Sequence, residues 1–277
     1  MNIKKLLTLL CLWALVAIAG AQEMFVYKQI DTLQLTLEVY QPEKMKADSL
    51  HPAMVFFFGG GWNGGKTHQF LHQAQELSQQ GIVCFLADYR VKSRNNTSPF
   101  EALKDAKSAI RFVRANAEKW QIDPNKIIAA GGSAGGHLAA ATALCDGYND
   151  PLDDLSVSCV PNALVLFNAV IDNGPGGYGY ERIGEAYKRF SPLHNIDSLA
   201  PPTLLMLGDK DHLNPVATYE YYKTVMDKVK RPCVLRIYEG GKHGFFNYNK
   251  KDMTFYNETM AETKDFLSSL GYLTLRE

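Results

Sequence analysis

Three side chains and a glycine loop, spread along most of this chain, have the types and the order needed for nucleophilic acyl transfer. Gly131-Gly132-Ser133-Ala134-Gly135 reads G-x-S-x-G. It follows the apolar run 127–130 and precedes Gly136-His137-Leu138-Ala139, which has helical spacing. A strand that turns sharply into a helix at such a motif lifts the serine hydroxyl above a sheet. It also aims the next backbone N–H at the same spot. The turn tolerates only small flanking residues, which Gly131, Gly132, Ala134, Gly135 and Gly136 supply. The bland reading is a glycine-rich phosphate turn. No Lys-Ser/Thr pair follows, so a P-loop fails.

A serine hydroxyl is a weak nucleophile until a base takes its proton and an acid orients that base. In elbow-type hydrolases the chain order is serine, acid, histidine. Downstream, Leu204-Leu205-Met206-Leu207 runs into Gly208-Asp209-Lys210-Asp211, a polar turn with two aspartates. Farther on, Val234-Leu235-Arg236-Ile237-Tyr238 leads to Glu239-Gly240-Gly241-Lys242-His243. Acid and base both fall just past strand ends, where open parallel sheets place their sites. Upstream, Met54-Val55-Phe56-Phe57-Phe58 enters Gly59-Gly60-Gly61-Trp62. Bare glycines there let backbone N–H groups approach a developing oxyanion.

The elements that must hold these groups are also legible. Short apolar runs at 83–87, 127–130, 163–167, 202–207 and 234–238 predict buried parallel strands. Helical spacing fills 68–80, 99–120, 134–145, 214–228 and 252–270. The alternation predicts an α/β fold, a mostly parallel sheet with helices on both faces. Residues 25–40 alternate, which predicts an antiparallel pair at the sheet edge. The least regular stretch, 171–195, leaves the sheet beside the serine and carries Tyr178 and Tyr180. It lines a leaving-group or sugar pocket, or it is a surface loop with packed tyrosines. Trp62 likewise stacks on a sugar or wedges the glycine loop.

These residues resemble the α/β-hydrolase fold, and within it the small esterases of the hormone-sensitive-lipase and acetyl-esterase group. The resemblance spans nearly all of 22–277. It includes Asp88-Tyr89-Arg90, the helix around Asp105 to Arg114, Ile122-Asp123-Pro124 and Pro161 to Asn168. It implies Ser133 as nucleophile, His243 as base and Asp211 as acid, with Asp209 a turn residue. It implies the N–H groups of Gly59, Gly60 and Ala134 as oxyanion donors, and no metal or organic cofactor. Many relatives carry His before the three glycines; here it is Phe58. The stretch from Gln22 to Gly59 is too short for a helical cap, which predicts an open site. That resembles compact secreted esterases that remove acetyl or feruloyl groups from plant polysaccharides. The expected partner is therefore a small-molecule or polysaccharide ester.

Composition narrows the class. The 277 residues carry 29 basic and 29 acidic side chains, with no basic run for nucleic acid or a membrane surface. Residues 1–21 read as a secretory leader. Lys4 and Lys5 precede an apolar core at 6–18, and Ala19-Gly20-Ala21 is an A-x-A site with cleavage before Gln22. Cys11 lacks the small residues before it that lipoprotein processing needs. Residues 22–277 suit one α/β domain. Of its four cysteines, Cys84 and Cys233 read as core thiols in strands. A helix from Ser133 runs down the sheet about 18 Å to Cys145, near the start of the next strand at Cys159. That geometry predicts a Cys145–Cys159 disulfide.

Other residues carry blander readings. His68 and His72 have i, i+4 metal spacing but no intervening Glu and no third ligand. His137, one turn past Ser133, reads as packing. Asp88 and Arg90 read as an ion network, and Asn95-Asn96-Thr97-Ser98 as overlapping glycosylation sequons. Two rivals to an esterase remain. A prolyl-oligopeptidase-type peptidase shares the elbow but usually has a further domain and acidic amine-gripping residues. A non-catalytic binding protein on this scaffold would carry a broken triad.

Overall fold

The computed structural model describes residues 23–43, 45 and 49–273. The leader at 1–21, Cys11 and the cleavage point lie outside the described residues. No helix among the described residues is long and apolar enough to cross a membrane.

Eight strands form one sheet in the order β1-β2-β4-β3-β5-β6-β7-β8. The edge hairpin is β1 (Glu23–Ile30) and β2 (Leu33–Tyr40), turning at Asp31 with φ +50°. Its two strands pair antiparallel, as the alternation of 25–40 predicts. After β3 (His51–Phe57), the chain crosses through α1 (Leu71–Gln79) to β4 (Val83–Ala87), which pairs parallel with β3 and antiparallel with β2. One-turn α2 (Lys92–Asn95) and α3 (Pro99–Ala115) lead to β5 (Ile122–Gly132). Then α4 (Ala134–Leu144) returns to β6 (Ala163–Phe167). Two short helices, α5 (Tyr180–Ile183) and α6 (Tyr187–Phe190), interrupt the irregular stretch before β7 (Thr203–Lys210). The chain closes with α7 (Val216–Lys228), β8 (Cys233–Lys242) and α8 (Thr254–Ser269). From β3 to β8 every pairing is parallel.

Strand side chains alternate between two cores, as a period of two demands. Val55, Phe57, Phe85, Ala129 and Leu205 pack with α3, α4 and α7 residues such as Leu103, Leu138 and Tyr219. Met54, Phe56, Leu86, Ala130 and Met206 pack on the other face with Leu77 of α1 and Met260 and Phe266 of α8. The sheet is therefore covered on both sides, which explains its unbroken apolar runs; β8 is the exception to the buried strand expected over 234–238, because it lies at the sheet edge and those residues are half-buried or exposed. The helix expected over 99–120 stops at Ala115, with Asn116 as its cap and only a 3₁₀ turn at Glu118–Trp120 beyond. Its start is the strong part: Pro99 at the first position, and Ser98 and Glu101 in a reciprocal capping box.

The Cys145–Cys159 bridge does not form; Cys84, Cys145, Cys159 and Cys233 are all free and buried. The two sulfurs face different carbonyls: Cys145 Sγ donates to Phe190 O at 3.2 Å, and Cys159 Sγ to Thr142 O at 3.6 Å. The lower end of α4 is instead tied by Lys107, whose buried amine donates to Cys145 O and to Gly147 O at 2.7 Å. A lysine on the last carbonyls of a helix caps it without a covalent bond. Burial also pushes the Cys84, Cys145 and Cys233 thiols above their ordinary range, which makes them inert. The other polar cluster is an ion network, as expected. Asp105 is fully buried between Arg90 at 2.7 Å and Lys28 at 2.8 Å, and Arg94 meets Asp88 at 2.7 Å.

Candidate active site

Ser133 sits at the junction of β5 and α4 with φ +53° and ψ −122°, a conformation side chains rarely adopt. The surroundings hold it there. Its N–H donates to Phe167 O at 3.0 Å, and its carbonyl accepts from His137 and Val170 N–H, both at 3.0 Å. The glycines are required by contact. A Cβ on Gly135 would lie 2.0 Å from Phe57 O, and one on Gly131 would lie 2.4 Å from Gly135 O.

The structure brings the three expected side chains together. His243 Nε2 is 2.9 Å from Ser133 Oγ, and His243 Nδ1 is 2.7 Å from Asp211 Oδ2. Ser133 is 9% exposed. The Asp211 side chain is fully buried. Burial is the largest influence on its carboxyl and would raise the pKa. Hydrogen bonds from His243 and from the Leu213 and Asn214 N–H groups outweigh it and hold the carboxyl below its usual range. Asp211 is thus an ionised acceptor, which places the imidazole proton on Nδ1 and the lone pair toward the serine. Asp209 does not join them: its carboxylate accepts from Gly240 N at 2.7 Å and pairs with Lys210, as a turn residue would.

The glycine loop lies against the elbow. Gly60 has φ +130° and closes a turn onto Asn63 and Gly64 N–H. No acceptor among the described residues takes the N–H of Gly60 or Ala134. Gly59 differs from expectation: its N–H already donates to Gln69 Oε1 at 2.6 Å. The side chain of Gln69, one turn before α1, has no counterpart in the sequence reading. Of the three expected N–H groups, those of Gly60 and Ala134 are left without a protein acceptor among the described residues.

Trp62 takes the second of its two readings. At 1% exposure it has no face to offer a sugar. It wedges the loop, edge-on to His137 at 5.1 Å, with the Arg182 guanidinium over its ring at 5.3 Å. Arg182 also donates to Gly61 O at 2.7 Å. Tyr178 is half-buried behind the loop, 5.8 Å from Trp62, and a Cβ on Gly61 would meet its hydroxyl at 2.5 Å. Tyr180 is half-buried within its own segment, bonded to Glu185 at 3.1 Å. A cleft of about 340 Å³ borders His243, with Lys242, Phe245, Asn247, Asn249 and Asp252 on its walls.

His137 is fully buried, its Nε2 donating to Phe190 O at 3.0 Å. Desolvation pushes its pKa down to about 3, although the Phe190 and Asn173 contacts act the other way. The unfolded chain protonates this histidine near pH 6.5 and the folded chain does not. Stability therefore falls as pH drops below about 6.5, by up to about 1.4 kcal/mol per unit. Urea unfolding at pH 7.5, 6.0 and 5.0 should show this slope, reduced in His137→Gln. An unchanged slope in that variant would contradict the assignment. His72 stacks on Tyr248 at 3.5 Å, and no group of three metal-ligating side chains gathers among the described residues.

Sequence reading also missed Asn168. It is fully buried just past β6, with φ +34°, and its Nδ2 lies 3.3 and 3.4 Å from the two ring nitrogens of His243. Its place at the carboxyl end of a strand beside the elbow was the available signal.

A family model described as BD-FAE matches residues 37–176, and one described as the dienelactone hydrolase family matches 171–270. An acetylxylan esterase of Xylanibacter ruminicola is 29% identical over 261 residues, covering 88% of this chain and 51% of its own length. The chain spans roughly half the length of the curated relatives it matches first. Esterase 2 of Thermogutta terrifontis, phosphoramylated by tabun, superposes with a TM-score of 0.88 at 39% identity, over 94% of this chain and 97% of that one. Its propionate-bound form gives a TM-score of 0.88 at 38% identity, over 92% and 97%. The chain thus belongs to the BD-FAE family, among the esterases of the α/β-hydrolase fold.

Proposed function

We propose that this chain is a serine carboxylesterase that removes short acyl groups, acetyl or feruloyl, from carbohydrates. The observation that carries the reading is the unbroken line from Ser133 Oγ through His243 to the buried Asp211. Ser133 attacks the ester carbonyl while His243 Nε2 takes its proton, and Asp211 balances the imidazolium. The new oxyanion meets the N–H groups of Gly60 and Ala134. His243 then protonates the leaving alcohol, and water repeats the sequence on the acyl enzyme.

Two observations support short acyl groups. The described residues before Gly59 build an edge hairpin and β3, with no helix among them to serve as a cap. The Thermogutta esterase binds propionate. The carbohydrate part rests on the name of the Xylanibacter relative and on the polar cleft beside His243. The same reading takes residues 22–277 as one catalytic domain, exported and cleaved before Gln22.

The test is a substrate panel. p-Nitrophenyl acetate should be turned over faster than the butyrate and far faster than the palmitate, and acetylated xylan should release acetate. A preference for palmitate, or no release from acetylated xylan, would overturn the substrate class.

A further inference from the structure

One peptide plane in the glycine loop is held at both ends. Phe58 O accepts from the buried Tyr89 hydroxyl at 2.6 Å, and the N–H of the same peptide, on Gly59, donates to Gln69 Oε1 at 2.6 Å. Gln69 continues the path. Its Nε2 donates to Asn247 Oδ1 at 3.0 Å, and Asn247 Nδ2 donates to Gly244 O at 2.8 Å. Gly244 N–H donates to Asn168 Oδ1 at 3.2 Å, and Asn168 Nδ2 lies against the His243 ring. Asn168 O in turn accepts from Asn214 Nδ2 at 3.1 Å, and Asn214 N–H donates to Asp211 Oδ1 at 3.1 Å.

This belt of carboxamides runs from the glycine loop past the histidine to the acid. Its directions agree throughout. Gln69 and Asn247 each accept with oxygen and donate with nitrogen, and Asn168 accepts from Gly244 with its oxygen, so flipping any one would set like against like. Residues 59–61 have no side chains by which the loop could be anchored. Phe58, where many relatives carry His, offers no polar atom either; it stacks on Tyr89 at 4.0 Å.

We propose that Gln69 is a positioning residue for ester hydrolysis. It fixes the 58–59 peptide so that the next N–H, on Gly60, points at the oxyanion, and through Asn247 it sets the loop's distance from His243. The proposal rests on the esterase reading of Ser133. Misplacing an oxyanion donor by about 1 Å is expected to cost on the order of 10²-fold in rate.

The test uses Gln69→Met, which keeps the length and loses both hydrogen bonds, and Gln69→Glu. With p-nitrophenyl acetate, Gln69→Met should lower kcat roughly 10- to 100-fold with KM nearly unchanged and a parental melting temperature. A protonated glutamic acid accepts from Gly59 and donates to Asn247, whereas the carboxylate cannot donate and puts charge beside the oxyanion. The ratio of Gln69→Glu kcat to parental kcat should therefore rise several-fold between pH 8 and pH 5. His68, His72, Lys250 and His243 are common to both proteins and cancel in that ratio. Asn247→Leu breaks the link at its other end, and the double variant with Gln69→Met should lose less than the product of the two single losses. Parental kcat in Gln69→Met, a flat ratio for Gln69→Glu, or multiplicative losses would each overturn the proposal. Fluorophosphonate labelling of the parent separates the two levels. Labelling at Ser133 with unaffected Gln69 variants sinks only the positioning role, whereas no labelling at Ser133 sinks the esterase reading and the proposal with it.

Discussion

Ser133→Ala should lower kcat for p-nitrophenyl acetate by about 10⁶-fold, the loss seen when a nucleophile is removed from a working triad. The fold should survive. Alanine keeps the Cβ, so the φ of +53° is no harder to hold, and the bonds pinning the turn to Phe167, His137 and Val170 are all backbone. Only the attacking oxygen is lost. Residual hydrolysis from the Gly60 and Ala134 donors should remain above the uncatalysed rate. Progress curves and thermal melts on the same preparation check both halves. A loss under about 100-fold would mean that another group attacks.

Asp211→Asn should lower kcat by about 10⁴-fold, for a reason visible in its contacts. Leu213 and Asn214 N–H both donate to Oδ1, so the asparagine oxygen must stay there. Its NH₂ then faces His243 Nδ1, where Oδ2 now lies at 2.7 Å. The ring must accept at Nδ1 and carry its proton on Nε2, the wrong tautomer for taking a proton from Ser133. Asp209→Asn removes a partner of Lys210 and weakens a turn bond to Gly240, so its kcat should fall less than about tenfold. Steady-state kinetics on the two variants decides between the aspartates. A greater loss in Asp209→Asn would reverse the assignment.

Much of the framework was legible because each part has a local signature. The strands over 83–87 and 163–167 match β4 and β6 to the residue, since buried parallel strands are unbroken apolar runs. Ser133 and Asp211 follow such runs, whereas His243 follows β8, an edge strand that carries Arg236 and is half-buried or exposed over 234–238. What failed depended on where side chains turn in space. Trp62 beside a glycine loop reads equally as platform or wedge, and only the packing of His137 and Arg182 around it decides. The cysteines flank the right elements, yet their sulfurs turn to separate carbonyls. Gln69 and Asn247 meet across 178 positions of sequence with no motif to announce them. An amide that holds a backbone plane leaves no pattern in residue spacing.

The most direct test of the serine nucleophile is covalent. The purified chain is treated with paraoxon, and the adduct is located by intact-mass and peptide analysis. A single phosphoryl adduct on Ser133, formed far more slowly in His243→Ala, is the predicted result. No adduct, or one on another residue with Ser133 unmodified, would contradict it.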